Sequence, residues 1–189
     1  MGFLDAILGG RKKLTTASSD RLFAMSTAAV TLETGLGMKS RGLAAIVFQQ
    51  IANADFKQIV TDAEELLASA AKDTGTTLEQ HDDSYGYHWI VFRDDDFDDL
   101  VTSVNTVAGE LQAGGYGDRV LAAVFSWDES GRRVDFIYNF RRGSFYPFVP
   151  TGDKQRDTER ELQLKAQIQN DLPIEPDLER WFPLWDAPL

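Results

Sequence analysis

The chain contains two histidines, His81 and His88, and the segment between them holds the acidic pair Asp82-Asp83 and a turn signal, Ser84-Tyr85-Gly86. Two imidazoles and a carboxylate are a donor set for zinc or iron, and an imidazole beside a carboxylate can also act as a general base. The same residues at the ends of a hairpin loop serve equally as exposed polar groups, and the helical pattern His-Glu-x-x-His is absent. A ligand, metal or enzyme site around His81 and His88 is therefore one alternative. A second cluster is the run Asp94-Asp95-Asp96-Phe97-Asp98-Asp99. Clustered carboxylates suit hard cations, but this run lacks the glycine and terminal glutamate of a calcium loop. Aspartates in a first helical turn also accept the free N–H groups there and complement the helix dipole, so the run reads as a helix start.

Other catalytic constellations are missing from the sequence. A nucleophilic serine needs a partner base and usually a strained elbow such as Gly-x-Ser-x-Gly; Ser126 and Ser144 sit instead in strand and turn contexts. Gly114-Gly115-Tyr116-Gly117 follows a predicted helix where a dinucleotide loop would precede one, which makes it a helix stop. The absence of cysteine removes disulfides, thiolate nucleophiles and thiolate metal sites together. Arg132-Arg133 and Arg141-Arg142 bracket one strand of about eight residues and so lie roughly 25 Å apart at ~3.3 Å per residue. They read as two solvated hairpin ends, with an anion contact at Arg141-Arg142-Gly143 as the lesser alternative. No catalytic residue, cofactor or metal ligand is assigned.

The elements that position these residues show an approximate duplication. Ile46-Val47-Phe48 recurs as Ile90-Val91-Phe92, and Asp55-Phe56 recurs as Asp96-Phe97. The helices that follow keep one apolar phase: Phe56, Ile59, Val60, Ala63 and Leu66 are answered by Phe97, Leu100, Val101, Val104 and Val107. Each unit reads as strand, strand, helix. Residues 28–34 and 43–50 lead into a helix from about Asp55, and residues 77–81 and 87–93 lead into one from about Asp96. Residues 120–127, 134–140 and 145–149 then form a three-strand meander, whose alternation at Val134, Phe136, Tyr138 and Phe140 buries one face. Residues 153–170 form a further helix, supported by the Glu161, Lys165 pair. The expectation is a single α+β domain over residues 1–189, with an antiparallel sheet and helices on one face. An amphipathic segment (1–20) precedes the core (21–150), and a helix and wrapping tail (151–189) follow it.

The final stretch, Asp171 to Leu189, holds two of the four tryptophans and four of the six prolines. Proline cannot continue a helix or a central strand, so this tail is expected to be extended and pre-ordered. Its aromatics, Trp181, Phe182 and Trp185, either plug a groove on the chain's own sheet, stapled by Pro176 and Pro183, or dock on a partner. At the other end, Phe3, Leu4, Ile7 and Leu8 form a short apolar face followed by Arg11-Lys12-Lys13. That pattern fits an anionic membrane surface, a partner or the protein body. The candidate contact residues are thus Phe3, Leu4, Ile7, Leu8, Arg141, Arg142, Tyr146, Phe148, Trp181, Phe182 and Trp185.

A net charge of -11 argues against nucleic acid, which requires a basic face. No apolar run approaches the ~20 residues of a membrane span, and the start lacks the pattern of a signal peptide. The expected setting is cytoplasmic, with peripheral contact at the inner face of the membrane as an option. A homodimer joined through an exposed strand edge is compatible with such a sheet.

Met1-Gly-Phe-Leu-Asp-Ala6, Tyr85-Gly-Tyr-His-Trp-Ile-Val91, Gly143-Ser-Phe-Tyr-Pro-Phe-Val-Pro150 and the tail from Asp171 to Trp185 together resemble the PspA-associated protein PspAB. This is a small family found near genes of the phage-shock, or envelope-stress, system. The resemblance spans almost the whole chain, and the tail is its specific part. It implies an accessory role beside PspA, a peripheral protein that supports damaged inner membranes, and contact with an HtpX-type membrane protease. It supplies no catalytic motif. The leading expectation is a non-enzymatic adaptor acting through protein contacts.

Overall fold

The computed structural model describes residues 21–83 and 85–189; the candidates Phe3, Leu4, Ile7 and Leu8 lie outside them. Buried Leu22, Met25, Ala28, Ala29 and Leu32 recur at helical spacing. They wind Ala24–Val30 into helix α1, which widens into a π turn over Thr31–Gly35. The strand expected over residues 28–34 is therefore a helix. Its β-branched Val30 and Thr31 suggest a strand in isolation, but the 3.6-residue phase of the buried positions prevails.

From there the chain runs β1 (Lys39–Gln49), α2 (Ala54–Thr74), β2 (Thr77–Asp82), β3 (Tyr87–Arg93), α3 (Phe97–Ala113), β4 (Val120–Glu129), β5 (Arg132–Asn139) and β6 (Ser144–Phe148). A small hairpin, β7 (Pro150–Gly152) and β8 (Gln155–Arg156), leads into α4 (Thr158–Ile168). The six main strands form one antiparallel sheet in the order β2-β3-β1-β4-β5-β6. The fold is α+β.

The duplicated triplets lie side by side. β1 and β3 are antiparallel neighbours with Ile46 directly opposite Ile90, and each strand is followed by its own helix. The repeat holds for strand and helix except at Leu66, which is exposed where Val107 is buried, and α1 takes the place of the first unit's leading strand. Ala44, Ile46, Phe48, Ile90 and Phe92 share a core with apolar residues of all four helices, so the helices cover one sheet face.

The aspartate run works as a helix start. Asp94 Oδ1 accepts the Asp96 N–H at 2.8 Å, and Asp96 Oδ1 accepts that of Asp98 at 2.9 Å. At the other end of α3, the Gly114 N–H donates to the Glu110 carbonyl, and Gly115 follows at φ 85°. Helix α4 begins later than residue 153 because Asp153 and Lys154 take positive φ in the β7–β8 turn. Asp157 then caps the helix by accepting the Arg160 N–H at 2.9 Å. Leu164 and Ile168 form its buried side, and Leu162 is exposed.

One glycine is indispensable to this arrangement. Gly42 sits at an irregularity of β1 between Ser40 and Leu43, with φ 64°. A Cβ there would stand 2.8 Å from the Asp94 carbonyl oxygen. Gly42→Ala is expected to lower stability by about 1–3 kcal/mol, through the left-handed backbone and this clash. Urea denaturation checks it: the midpoint should fall while the slope stays that of the wild type.

Candidate functional site

The second face of the sheet is as apolar as the first. Leu43, Ala45, Val47, Trp89, Val91, Val124, Ile137, Tyr146 and Phe148 are all buried there, yet none of the described helices contributes to their cluster. The tail covers them. It first closes the β6 edge: the Phe145 N–H donates to the Pro173 carbonyl at 2.8 Å, and the Glu175 N–H donates to the Phe145 carbonyl at 2.8 Å. It then turns onto the face, where Trp181 stacks on Tyr146 with ring centres 6.2 Å apart and Trp185 meets Phe148 edge-on at 5.0 Å. Leu184 and Ala187 are buried beyond them. The Trp181 indole N–H donates to the Glu175 carbonyl at 3.0 Å. The Tyr146 hydroxyl donates to the Phe182 carbonyl at 3.0 Å, and burial pushes this phenol's pKa well up, so it stays protonated.

Three buried carboxylates, each paired with an arginine, hold this tail in register. Arg142 Nε donates to Glu175 Oε2 at 2.9 Å, and the Ser144 hydroxyl donates to the same oxygen at 3.2 Å. Arg156 Nε reaches both oxygens of Glu161 at 2.9 Å, while its Nη1 donates to the Trp181 carbonyl at 2.6 Å. Arg133 Nε donates to Asp135 Oδ2 at 2.8 Å, and its Nη1 donates to the Leu189 carbonyl at 3.1 Å. The carboxylate side chains are 3% exposed or less, so each is desolvated and depends on its arginine. A fourth carboxylate, Glu129, ties α4 to the β4–β5 hairpin through Arg160 and Arg132.

This geometry relocates most of the contact candidates. Tyr146, Phe148 and Trp181 are interior, since the face they line needs covering within the chain. Phe182 and Trp185 are half-buried. The arginine pairs do sit at two hairpin ends and Arg142 is exposed, but they are engaged: Arg142, in the lesser alternative an anion contact, pairs with Glu175, and Arg132 and Arg133 are in ion pairs. Arg141 is part-buried in the fields of Asp118 and Arg119. The clamp residues Asp135, Glu161 and Glu175 were missed by the sequence reading, although Arg133 and Asp135, two apart on one strand, share a face.

The two histidines are separated by the sheet. In the β2–β3 register His81 pairs with Trp89 and Asp82 with His88. His88 therefore faces the helices, while His81 faces the other side and is exposed. They cannot share a metal ion, and among the described residues no group of three or more acidic, histidine or cysteine side chains is placed to hold one. His88 is 5% exposed and packs on the Phe48 ring at 5.1 Å. Asp82 Oδ1 lies 2.6 Å from His88 Nδ1, and Gln50 Nε2 lies 2.8 Å from that nitrogen and donates to the same carboxylate at 3.0 Å. Nearby Glu64 has its pKa raised by burial, against the opposing pull of His88 and Gln80. The cluster orients an imidazole and ties β1 to the β2–β3 hairpin.

On the tail side, a partly open cavity of about 100 Å³ lies between the β2–β3 turn, the β7–β8 turn and the tail. Tyr85, Trp89, Lys154, Leu184 and Trp185 frame it, and Tyr85 is 56% exposed. Trp185 is the tail aromatic that lines it.

An antiparallel α+β sheet, covered by helices on one face and by a clamped proline-tryptophan strap on the other, defines the structural class. The model of one family, PspAB, PspA associated protein B, matches residues 1–189, and the chain belongs to that family. No curated protein and no solved structure matches the chain. None of the described helices is long and apolar enough to cross a membrane.

Two predictions follow from the clamps. Arg156→Met leaves Glu161 buried and unpaired, and is expected to cost about 3–5 kcal/mol in chemical denaturation. The second concerns acid. Burial pushes the Glu175 carboxyl up, but Arg142, the Asp177 N–H and Ser144 outweigh it and hold the group below 4.5. Glu129 is likewise lowered, against burial, by Arg160 and Arg132. For Glu161 burial wins over Arg156 and the Val149 N–H, and its pKa is raised. Lowered groups stabilise the fold above their unfolded value and lose that contribution as pH falls through the folded one; a raised group does the reverse. Thermal unfolding followed by circular dichroism should thus show a shallower acid loss below pH 4.5 in Glu175→Gln than in the wild type, whereas Glu161→Gln should differ above pH 4.5, lacking the stability that the wild type gains as pH falls toward that value.

Proposed function

We propose that this protein is a non-enzymatic accessory protein that associates with PspA and acts through protein contacts in the membrane-stress response. The supporting observation is the match of the whole chain to a family described as PspA associated. The fold is consistent with this reading. Its buried ion pairs hold a rigid aromatic surface, and large aromatic side chains at a partly desolvated site are the usual anchors of protein interfaces. Tyr85 and Trp185 at the tail-side cavity, together with the half-buried Phe182, are the contact residues in this proposal. Tyr146, Phe148 and Trp181 support them from below.

The apolar N-terminal face with its following basic residues is proposed as a peripheral contact with the inner membrane surface, and an HtpX-type membrane protease as a further partner. A metal ion shared by the two histidines loses its geometric basis, because the two rings project from opposite faces.

The test is a crosslinked pull-down from the native cells under envelope stress. It compares the wild type with Trp185→Ala and with Tyr85→Ala, each checked for folding by circular dichroism. Recovery of PspA should fall by about tenfold or more in these variants, as for loss of a hot-spot aromatic. Equal recovery by folded variants would remove the tail-side surface, and absence of PspA from the wild-type sample would remove the proposal.

A further inference from the structure

The main sheet has two edges, and among the described residues only one is closed. β6 is paired by tail residues 173–175, whereas β2 pairs with β3 alone among the described residues. Strand β2, Thr77-Leu78-Glu79-Gln80-His81-Asp82, carries neither the lysine nor the proline that guards many edges. Its hydrogen-bonding phase is set by the hairpin turn, where the Asp83 N–H donates to the Tyr87 carbonyl at 3.0 Å. Bonded and non-bonded pairs alternate along an antiparallel ladder. Thr77, Glu79 and His81 thus turn their backbone groups toward Arg93, Val91 and Trp89, and Leu78, Gln80 and Asp82 turn theirs outward.

We propose that this edge joins the same edge of a second copy, antiparallel about Gln80, so that Gln80 faces Gln80 and each Glu79 faces His81. This pairing keeps the helix-covered face of both copies on one side of a continuous sheet. Outward-turned residues then meet outward-turned residues, Gln80 with Gln80 and Leu78 with Asp82, and each facing pair exchanges both of its backbone bonds.

Charge selects this register over its neighbours. Sliding one copy by two residues sets Glu79 against Glu79, and sliding it the other way sets Glu79 against Asp83. Like charges directly opposite each other destabilise a sheet, and opposite charges stabilise it. In the centred register Glu79 meets His81 on both sides of the axis, Asp82 meets Leu78 and Asp83 meets Thr77. Within one copy Glu79 already accepts from Arg93 Nε at 3.2 Å and lies 3.7 Å from His81 Nε2, so the centred register sets an imidazole, and no second carboxylate, opposite each Glu79.

This proposal is independent of the association with PspA and is tested on the purified full chain. Light scattering after size exclusion, over a range of concentrations, should give the mass of two chains. Gln80→Pro removes an outward N–H that serves no bond within β2–β3, and should halve the mass while keeping the circular dichroism spectrum. Glu79→Lys should also shift the population toward one chain, and adding His81→Glu to it should restore two. A wild type with the mass of one chain at every concentration overturns the proposal. So does a folded Gln80→Pro variant that stays at two chains, or a double variant that fails to regain them.

Discussion

A sheet that is apolar on both faces has to be covered twice, and this requirement organises the molecule. β1, β3 and β4 are nearly continuous hydrophobic strands, buried on both sides along most of their length. Antiparallel sheets commonly leave one face to solvent and show it by alternation; here that option is closed. Four helices take the first face. The second is left to a segment with no regular structure beyond a short turn at Leu178–Arg180. Such a segment has few backbone hydrogen bonds of its own to hold it. Prolines reduce the freedom it must give up, and large aromatics supply the buried area.

Apolar burial alone would not determine where the tail lies, because one greasy groove accepts several alignments. The buried carboxylates remove that freedom. Asp135, Glu161 and Glu175 are each tolerable only opposite their own arginine, and Arg133 and Arg156 also bind tail carbonyls. A displaced tail would part Glu175 from Arg142 and strip Arg133 and Arg156 of their tail carbonyls, which is far worse than a slipped aromatic contact. The ion pairs thereby act chiefly as a register device, as charge often does in sheets and coiled coils. Arg156 lies 5.2 Å from the centre of the Phe148 ring, so the same side chain joins the polar clamp to the aromatic layer.

Most of this fold was legible in the sequence where local pattern and tertiary role agree. The duplicated strand and helix, the meander and the aspartate cap were all readable from period and spacing. Residues 28–34 were not, because Val30-Thr31-Leu32 carries β propensity while the phase that matters begins at Leu22 and Met25. The tail's aromatics were visible, but whether they serve the chain itself or a partner depends on pairings such as Arg142 with Glu175. Those partners lie 33 residues apart and have no local signature. The histidines illustrate a parity effect: their placement on opposite faces follows from the register set by a single turn, which residue types alone do not reveal.

The tail comes after every strand of the sheet it covers, and this order matters during synthesis. When β6 has left the ribosome, the helix-covered face already has most of its partners, while Tyr146, Phe148, Trp89 and their neighbours still await residues 171–189. For that interval the nascent chain is a one-sided sheet with an open β6 edge, the kind of surface that chaperones bind and that aggregates in their absence. Burial of the second face thus waits for synthesis of residues 171–189. A chain broken off before residue 171 would be a sticky, protease-sensitive product in place of a slightly shorter working one.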